Sequence, residues 1–271
     1  MADGTRDAAR SAVSAVAGFA LDRLRRAHGL AWRLAAPRAA RSRRGMDLFR
    51  TLRAHEARHY SQNGEDGVID CLMRLVGATN RFYVEIGSSE GEECNTRWLR
   101  EQGWSGVMLD RVHDDPRIPV YRELVTVENL APLFAKYGVP REFDLLSIDV
   151  DGNDYWLWKA AGTAYRPRVA VIEYNNQVPH DVSVTMPYDP AFQWTGQPSA
   201  GQSLLALRNV SESMGYSLVY ASAPNAFVVL RSLLPDEYDA VPLSAIAPLW
   251  MVLYGTDAWG RGLSDEPWEY V

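Results

Sequence analysis

The fold of this chain is decided by the stretch Arg81–Gly91, which reads RFYVEIGSSEG. An apolar run typical of a β-strand is followed there by small residues and glycine. In an open α/β sheet, ligands bind at the carboxyl ends of strands, where each loop leads into a helix. Gly87 and Gly91 allow the backbone to turn tightly and to approach a bound molecule. The spacing E-x-G-x-x-x-G is not the G-x-G-x-x-G of dinucleotide-binding folds, and the chain contains no G-x-x-x-x-G-K-S/T phosphate loop.

Strand-like and helix-like segments alternate from residue 81 onward, which is typical of a doubly wound, mostly parallel sheet. Apolar runs predict strands at Phe82–Ile86, Gly106–Leu109, Leu124–Val127, Leu145–Val150, Val169–Glu173, Ser217–Ala221 and Ala226–Leu230. Helices are predicted at Asp47–His59, Val68–Val76, Glu93–Gln102, Leu130–Tyr137, Asp154–Ala161 and Ser203–Met214. The last two strands have hairpin spacing, so one strand of the sheet is predicted to be antiparallel.

Charge is distributed unevenly along the 271 residues, whose net charge is −6. Residues 1–58 contain 13 arginines and 5 acidic residues, a charge of +8, so the remainder carries −14. A basic arm therefore precedes an acidic body, and the negative net charge of the whole chain argues against a general nucleic-acid binder. The arm is either an amphipathic helix that contacts an anionic membrane or a partner, or a solvated or oligomer-forming segment.

Cysteine content and hydropathy indicate the compartment. Cys71 and Cys94 are the only cysteines, which provides neither a disulfide framework nor zinc-binding spacing. The longest uncharged run of the arm, Ser11–Leu21, is too short to span a bilayer. We therefore expect a cytoplasmic protein.

Acidic side chains are concentrated where the fourth and fifth strands end. Asp149, Asp151 and Asp154 lie within six residues, and Glu173 ends the next strand. Parallel strands end at one edge of a sheet, so Asp149 and Glu173 are predicted to lie side by side. Such like charges require a cation, hydrogen-bond donors or a raised pKa. Either a divalent ion such as Mg²⁺ is shared, with Asp149, Asp154 and Glu173 as the preferred ligands, or the carboxylates orient ligands and one serves as a base.

Other polar residues at loop positions carry two interpretations each. Asp110 ends the second strand, about 20 residues beyond the glycine loop, and either binds ribose hydroxyl groups or caps a helix. In residues 60–67, Gln62 and Glu65 either close over a ligand or belong to a turn and helix cap. His180 is a general base or a solvated loop residue. The segment 180–201, with Tyr188, Phe192 and Trp194, is a lid or packs on the body.

Four ordered segments together resemble the FkbM-like class I S-adenosylmethionine (SAM)-dependent methyltransferases. They are YSQNGEDG at 60–67, VEIGS at 84–88, LLSIDVDGND at 145–154 and IEYN at 172–175, and the resemblance covers roughly residues 58–232. It implies a Rossmann-like methyltransferase domain at 47–235. Composition separates a basic Ala/Arg-rich helical arm and joint at 1–46 and a Trp/Tyr-rich extension at 236–271, which we expect to pack on the domain. The resemblance also implies methylation of a hydroxyl group on a sugar, a glycan or a secondary metabolite.

The resemblance also assigns roles to individual residues. It places Glu85, Gly87 and Ser88 at the methionine end of the cofactor, Asp110 at the ribose and Asp149 at the amino group. The remaining cofactor positions are Gln62 and Glu65, which would cover the site, and Thr126, at the end of the third strand beside the adenine. The candidates for the base that accepts the hydroxyl proton are Asp151, Glu173 and His180.

Three other functions compete with this hypothesis. An N- or C-methyltransferase acting on a peptide or alkaloid fits the same motifs. A non-catalytic SAM-fold scaffold that recruits partners, or forms a homo-oligomer, through its basic arm fits less well, because Glu85, Gly87, Asp110 and Asp149 are intact. A nicotinamide oxidoreductase is disfavoured by the glycine spacing.

Overall fold

A computed structural model describes residues 45–115, 117–197, 199–222, 224–246 and 267–271. Most of the predicted arm at 1–46 and much of the predicted extension at 236–271 lie outside the described residues.

One sheet of seven strands forms the centre of the described chain. Its strands are β1 (Phe82–Ile86), β2 (Ser105–Asp110), β3 (Val120–Arg122), β4 (Glu142–Ile148), β5 (Arg166–Glu173), β7 (Tyr216–Ser222) and β8 (Asn225–Leu230). A second sheet contains β6 (Val184–Thr185) and β9 (Glu269–Tyr270). The helices are α1 (Gly45–Ala54), α2 (Glu65–Val76), α3 (Arg97–Glu101), α4 (Leu130–Lys136), α5 (Asp154–Ala164), α6 (Leu204–Ser213) and α7 (Leu243–Ile246), with a 3₁₀ turn at Arg231–Leu233.

The strand order of the large sheet is β3-β2-β1-β4-β5-β8-β7. Strands β1 to β5 pair in parallel, and β8 pairs antiparallel with both β5 and β7. The predicted fold class, a Rossmann-like, doubly wound, mostly parallel sheet of seven strands with one antiparallel strand, is confirmed. The chain reverses its direction of progress across the sheet between β1 and β4. In folds of this type, that switch point opens a crevice at the carboxyl ends of the strands, where ligands bind.

The third strand does not lie where the sequence predicted it. Leu124–Val127 has no strand structure, and β3 is the shorter segment Val120–Arg122. The reason is local, because Asn129 Oδ1 accepts a hydrogen bond from the backbone N–H of Thr126 at 2.7 Å. The Thr126 Oγ1 atom accepts one in return from Asn129 N–H at 3.3 Å. This reciprocal pair makes the turn that begins α4, so Thr126 belongs to a helix start rather than to a strand end.

The central strands are buried on both faces because helices cover the sheet on each side. Phe143, Leu145, Leu146 and Ile148 of β4 are all inaccessible to solvent. Asp144 is the exception among these apolar residues, and it too is fully buried. Its carboxylate accepts hydrogen bonds from the backbone N–H groups of residues 79–81, just before β1. The buried carboxylate of Asp144 therefore fixes the segment that leads into β1.

The end of the described chain returns to the base of the predicted lid. Strand β9 pairs antiparallel with β6, and Val271 N–H donates to the carbonyl of Ser183 at 3.1 Å. On the other side of β6, Met186 N–H donates to Gly201 O at 2.9 Å. The segment that approaches the site is thus held between two extended stretches. Of the helices described here, none combines the length and apolarity needed to cross a membrane.

Candidate functional site

The loops that follow β1 and β4 touch each other at the switch point of the sheet. The N–H of Asp149 donates to the carbonyl of Ile86 at 2.9 Å, and the N–H of Gly87 donates to that of Leu109 at 2.8 Å. Gly87 has a φ of 85°, and a Cβ atom there would lie 1.6 Å from Asp149 O. Only glycine fits this close contact, so the β1 and β4 loops form one continuous wall.

A cleft of about 260 Å³ opens above this wall, slightly smaller than most ligand sites. It is bounded by the loops after β1, β2, β3 and β4, by the predicted lid and by the β7–β8 hairpin. The sequence-predicted residues that line it are Gln62, Glu85, Gly87, Asp110, Asp149 and Asp151. The topology therefore brings together six of the predicted positions, which are spread over 90 residues of sequence.

Glu65 lies beneath the cleft wall rather than in the cleft lining. Its buried carboxylate accepts hydrogen bonds from the backbone N–H groups of Asn63 and Gly64, at 2.8 and 2.9 Å. Asp66 makes similar contacts with the N–H groups of residues 59–61. The two acidic residues thus shape the loop before α2 and leave Gln62 exposed to the cleft. The turn-and-cap interpretation describes Glu65, and the ligand-facing interpretation describes Gln62.

Two other predicted cofactor residues are also displaced from the lining. Ser88 is fully buried, and its hydroxyl has no hydrogen-bond partner among the residues that the structure describes. Thr126 is occupied in the turn that begins α4. In its place, Leu124 and Val125 line the cleft beyond β3. The residues that line this end of the cleft are therefore the two that directly precede Thr126, the predicted adenine position.

Glu85 lies in the cleft wall and also holds the turn that precedes α3. Its carboxylate, 2% exposed, accepts hydrogen bonds from the N–H groups of Asn95 and Thr96, at 2.8 and 3.1 Å, and from the Thr96 hydroxyl. Burial raises the pKa of Glu85. These contacts keep residues 93–96 in a turn, so α3 begins at Arg97 and not at Glu93 as predicted.

Asp110, the last residue of β2, both lines the cleft and holds the loop that follows it. Its Oδ1 atom accepts hydrogen bonds from the N–H groups of Val112 and His113 at 2.7 and 2.8 Å. His113 Nδ1 lies 3.0 Å from the same oxygen. The Oδ2 atom accepts one bond at 3.0 Å, from Ser89 N–H in the β1 loop. One lone pair of Oδ2 is left for a ligand, so the geometry suits a single hydroxyl contact better than a bidentate one.

Three carboxylates form a compact group at the ends of β4 and β5. Oxygen atoms of Asp149, Asp151 and Glu173 lie within 4.8 Å of one another. Asp154, a predicted metal ligand, is not part of this group. Its two oxygens accept hydrogen bonds from the N–H groups of Val150 and Gly152, both at 2.9 Å. Asp154 thus organises the loop, and Asp151 replaces it in the candidate ligand set.

Burial and mutual repulsion shift the pKa values of this group upward. Desolvation, followed by repulsion from neighbouring carboxylates, raises the pKa of Asp149 and that of Glu173. A hydrogen bond between these two carboxyl groups favours one shared proton. Burial also raises the pKa of Asp151. The group can therefore hold a proton at neutral pH.

The predicted lid crosses the cleft between the β4 and β3 loops. Tyr188 OH donates to Glu128 at 2.7 Å, and Asn153 Nδ2 donates to the carbonyl of Asp189, also at 2.7 Å. Phe192 lies over the backbone of Gly152 and lines the cleft. Trp194, in contrast, is 54% exposed. The aromatic residues of the segment therefore differ in role, and only part of it covers the cleft.

His180 is half-buried at the start of this segment. Among the residues described, the lining of the cleft does not include it. Its predicted role as a base stays a prediction without a supporting contact.

The sequence interpretation missed Asn225, which is 3% exposed and lines the cleft. It begins β8 and pairs directly opposite Glu173. Its Nδ2 atom donates to Glu65 Oε1 at 3.0 Å, whereas its Oδ1 atom has no hydrogen-bond partner among the described residues. The sequence offered one signal, an amide residue in the short hairpin connection between two apolar strands.

Comparison with known proteins adds little to this geometry. No family model matches the chain, and no curated protein matches it. Among solved structures, it is similar to the MycE methyltransferase from the mycinamycin biosynthetic pathway, in complex with Mg and SAH. The identity is 16% and the TM-score 0.32, over 65% of this chain and 49% of the MycE chain. The chain thus spans about half the length of that protein, and the resemblance to the FkbM-like family stays a prediction.

Proposed function

We propose that this protein is a SAM-dependent methyltransferase that methylates a hydroxyl group of a sugar, a glycan or a secondary metabolite. The observation that carries the proposal is the order in which apolar and polar groups follow one another along the cleft at the switch point. Leu124 and Val125 form an apolar end, Asp110 follows, and the β1 loop at Gly87 leads to the carboxylate of Asp149. This succession suits a nucleoside joined to a cationic amino-acid chain.

Different residues of the cleft contact different parts of the cofactor. Leu124 and Val125 provide apolar contact for the adenine, and Asp110 Oδ2 accepts a hydrogen bond from a ribose hydroxyl. Gly87 allows the methionine part to lie close to the backbone. Asp149, at the far side of the β1 loop, faces the amino group. The acidic surroundings favour the positive charge of the sulfonium.

Methyl transfer is an in-line displacement, in which the acceptor oxygen forms a bond to the methyl carbon while the bond from that carbon to sulfur breaks. The protein must align the two partners and exclude water, and the segment containing Pro190 and Phe192 covers the cleft for this purpose. Asp151, which is exposed in the cleft, accepts the hydroxyl proton, supported by Glu173 and Asp149 behind it. A raised carboxylate pKa makes this proton transfer more effective near neutral pH.

The first test is calorimetric titration of the protein with S-adenosylhomocysteine (SAH). We expect a Kd on the order of micromolar, and a loss of about tenfold in Asp110→Asn, because the hydroxyl contact is weakened. Asp114→Asn, the same change at an exposed loop position four residues later, serves as the control and keeps wild-type affinity. A protein that binds no SAH would contradict the proposed function, and binding of NADH instead would favour an oxidoreductase.

The same carboxylates suit a divalent cation. Mg²⁺ prefers carboxylate oxygens, and those of Asp149, Asp151 and Glu173 are close enough to share one ion. When bound there, Mg²⁺ would lower the pKa of an acceptor hydroxyl and thereby assist its deprotonation.

A metal site of this composition predicts a thermal shift that requires no known acceptor. At about pH 8, millimolar Mg²⁺ is expected to raise the melting temperature by about 2–5 °C, because the ion binds the folded protein only. Asp151→Asn should abolish the shift. Asp70→Asn, the same change in α2 and outside the cleft lining, should retain it. Equal melting temperatures with Mg²⁺ and with EDTA would exclude the metal from the proposal.

A further inference from the structure

Asn225 lines the cleft, and the orientation of its side-chain amide is fixed by a neighbouring carboxylate. Its Nδ2 donates to Glu65 Oε1 at 3.0 Å, and Glu65 also accepts the N–H groups of Asn63 and Gly64. An ionised carboxylate can only accept hydrogen bonds, so the amide of Asn225 cannot be turned around without losing this contact. Glu65 therefore directs the Oδ1 atom of Asn225 away from itself.

This Oδ1 atom is buried and has no partner among the residues that the structure describes. Asn225 is 3% exposed and forms part of the cleft lining. A buried acceptor left without a donor costs about 1–3 kcal/mol, so such groups in native proteins are normally matched. Because Asn225 lines the cleft, a molecule that binds there can supply the missing donor as an N–H or O–H group.

The position of Asn225 in the sheet indicates which part of a ligand it meets. Leu124 and Val125, at the apolar end, follow β3 at one edge of the sheet, whereas Asn225 begins β8 on the other side of the switch point. Asn225 pairs directly opposite Glu173, whose carboxylate approaches that of Asp149. A donor in these surroundings is stabilised further if it carries a positive charge.

We propose that Asn225 Oδ1 accepts a hydrogen bond from the α-ammonium group of the methionine moiety of the cofactor, beside Asp149. The inference rests on the proposed function and deepens it, since it adds a binding residue that no sequence motif indicated. An ammonium group has three N–H donors, so Asp149 and Asn225 together satisfy more of them than either does alone. Glu65 acts as a positioning residue, because it holds the amide in the orientation that leaves the Asn225 oxygen unpaired.

The test compares SAH with an analogue in which hydrogen replaces the α-amino group, by calorimetry on the full-length protein. For the wild type, removing the amino group should weaken binding by about 10–100-fold, the usual range for a hydrogen-bonded charge. Asn225→Leu should bind SAH about tenfold more weakly than the wild type, and the two ligands should then differ by correspondingly less. Asn209→Leu, at an exposed position of α6, is the control and should reproduce the wild-type difference.

The inference is overturned if Asn225→Leu binds SAH as tightly as the wild type does, or if the amino group contributes equally in both proteins. Circular dichroism and the melting temperature check that the variant is folded. If Asn225→Leu does not fold, Asn225→Ala supplies the same comparison, since it removes the amide and leaves no side-chain acceptor. A wild-type protein that fails to bind SAH would refute the proposed function itself, which is a different outcome.

Discussion

Gly87→Ala is expected to destabilise the protein by at least about 3 kcal/mol and to abolish SAH binding, because the new methyl group has no space. A Cβ atom at this position would lie 1.6 Å from Asp149 O, far inside contact distance, and the atom that blocks it belongs to the backbone. Relief requires the β1 and β4 loops to move apart, which opens the wall on which the cofactor is proposed to lie. Urea denaturation measures the loss of stability, and calorimetry measures the loss of binding.

Gly103→Ala is the matched control for this substitution. Gly103 has a φ of 80°, close to the 85° of Gly87, but a Cβ atom there would meet nothing within 4 Å. Its cost should be limited to the strain of a left-handed alanine, about 1–2 kcal/mol, with SAH binding unchanged. Equal destabilisation by the two substitutions would show that backbone strain, and not the contact with Asp149, explains the requirement for glycine.

The carboxylate group predicts that stability falls as the pH rises. The pKa values of Asp149 and Glu173 are raised in the folded protein above their ordinary values, so the folded state binds more protons than the unfolded state. Their contribution is complete below the ordinary carboxyl range near pH 4 and is lost as the pH rises through the raised folded values. Glu173→Gln removes one of these charges, and its amide can donate to Asp149 in place of the shared proton.

We therefore expect Glu173→Gln to be about as stable as the wild type near pH 5 and about 2 kcal/mol more stable near pH 9, in metal-free buffer. The free energy of unfolding in urea, measured across this range for both proteins, gives the difference directly. Glu142→Gln, the same change at an exposed residue that begins β4, should show no such divergence. A Glu173→Gln variant that is less stable than the wild type at every pH would contradict the repulsion on which this expectation depends.

Local pattern was sufficient to predict the fold class because most strands of the central sheet are largely apolar runs that end in, or are followed by, a polar or small residue. The stretch Arg81–Gly91 and the acidic residues after β4 and β5 placed the site at one edge of the sheet. The third strand was misplaced because Leu124–Val127 has strand composition, whereas the Thr126–Asn129 hydrogen bonds make it a helix-starting turn. Short-range hydrogen bonding overrode apolar composition there.

The roles of individual side chains in the site were harder to predict from the sequence than the fold was. Glu65, Glu85 and Asp154 were predicted to contact a cofactor or a metal, yet each carboxylate accepts hydrogen bonds from two backbone N–H groups of nearby residues. A sequence shows that an acidic residue lies near a strand end, but it does not show whether that residue faces the ligand or the loop. That choice depends on which N–H groups the folded backbone leaves unpaired.

The amino-acid sequence was enough to establish the doubly wound sheet, its antiparallel strand and the strand ends at which polar residues gather, because hydrophobic periodicity and glycine positions act over short distances. Tertiary structure alone established that Asp151 and not Asp154 joins Asp149 and Glu173, and that Asn225 enters the cleft from a hairpin 76 residues beyond Asp149. Both results depend on contacts between segments far apart in the chain. Such contacts arise only when the sheet brings the carboxyl ends of β4 and β5 and the start of β8 to one edge.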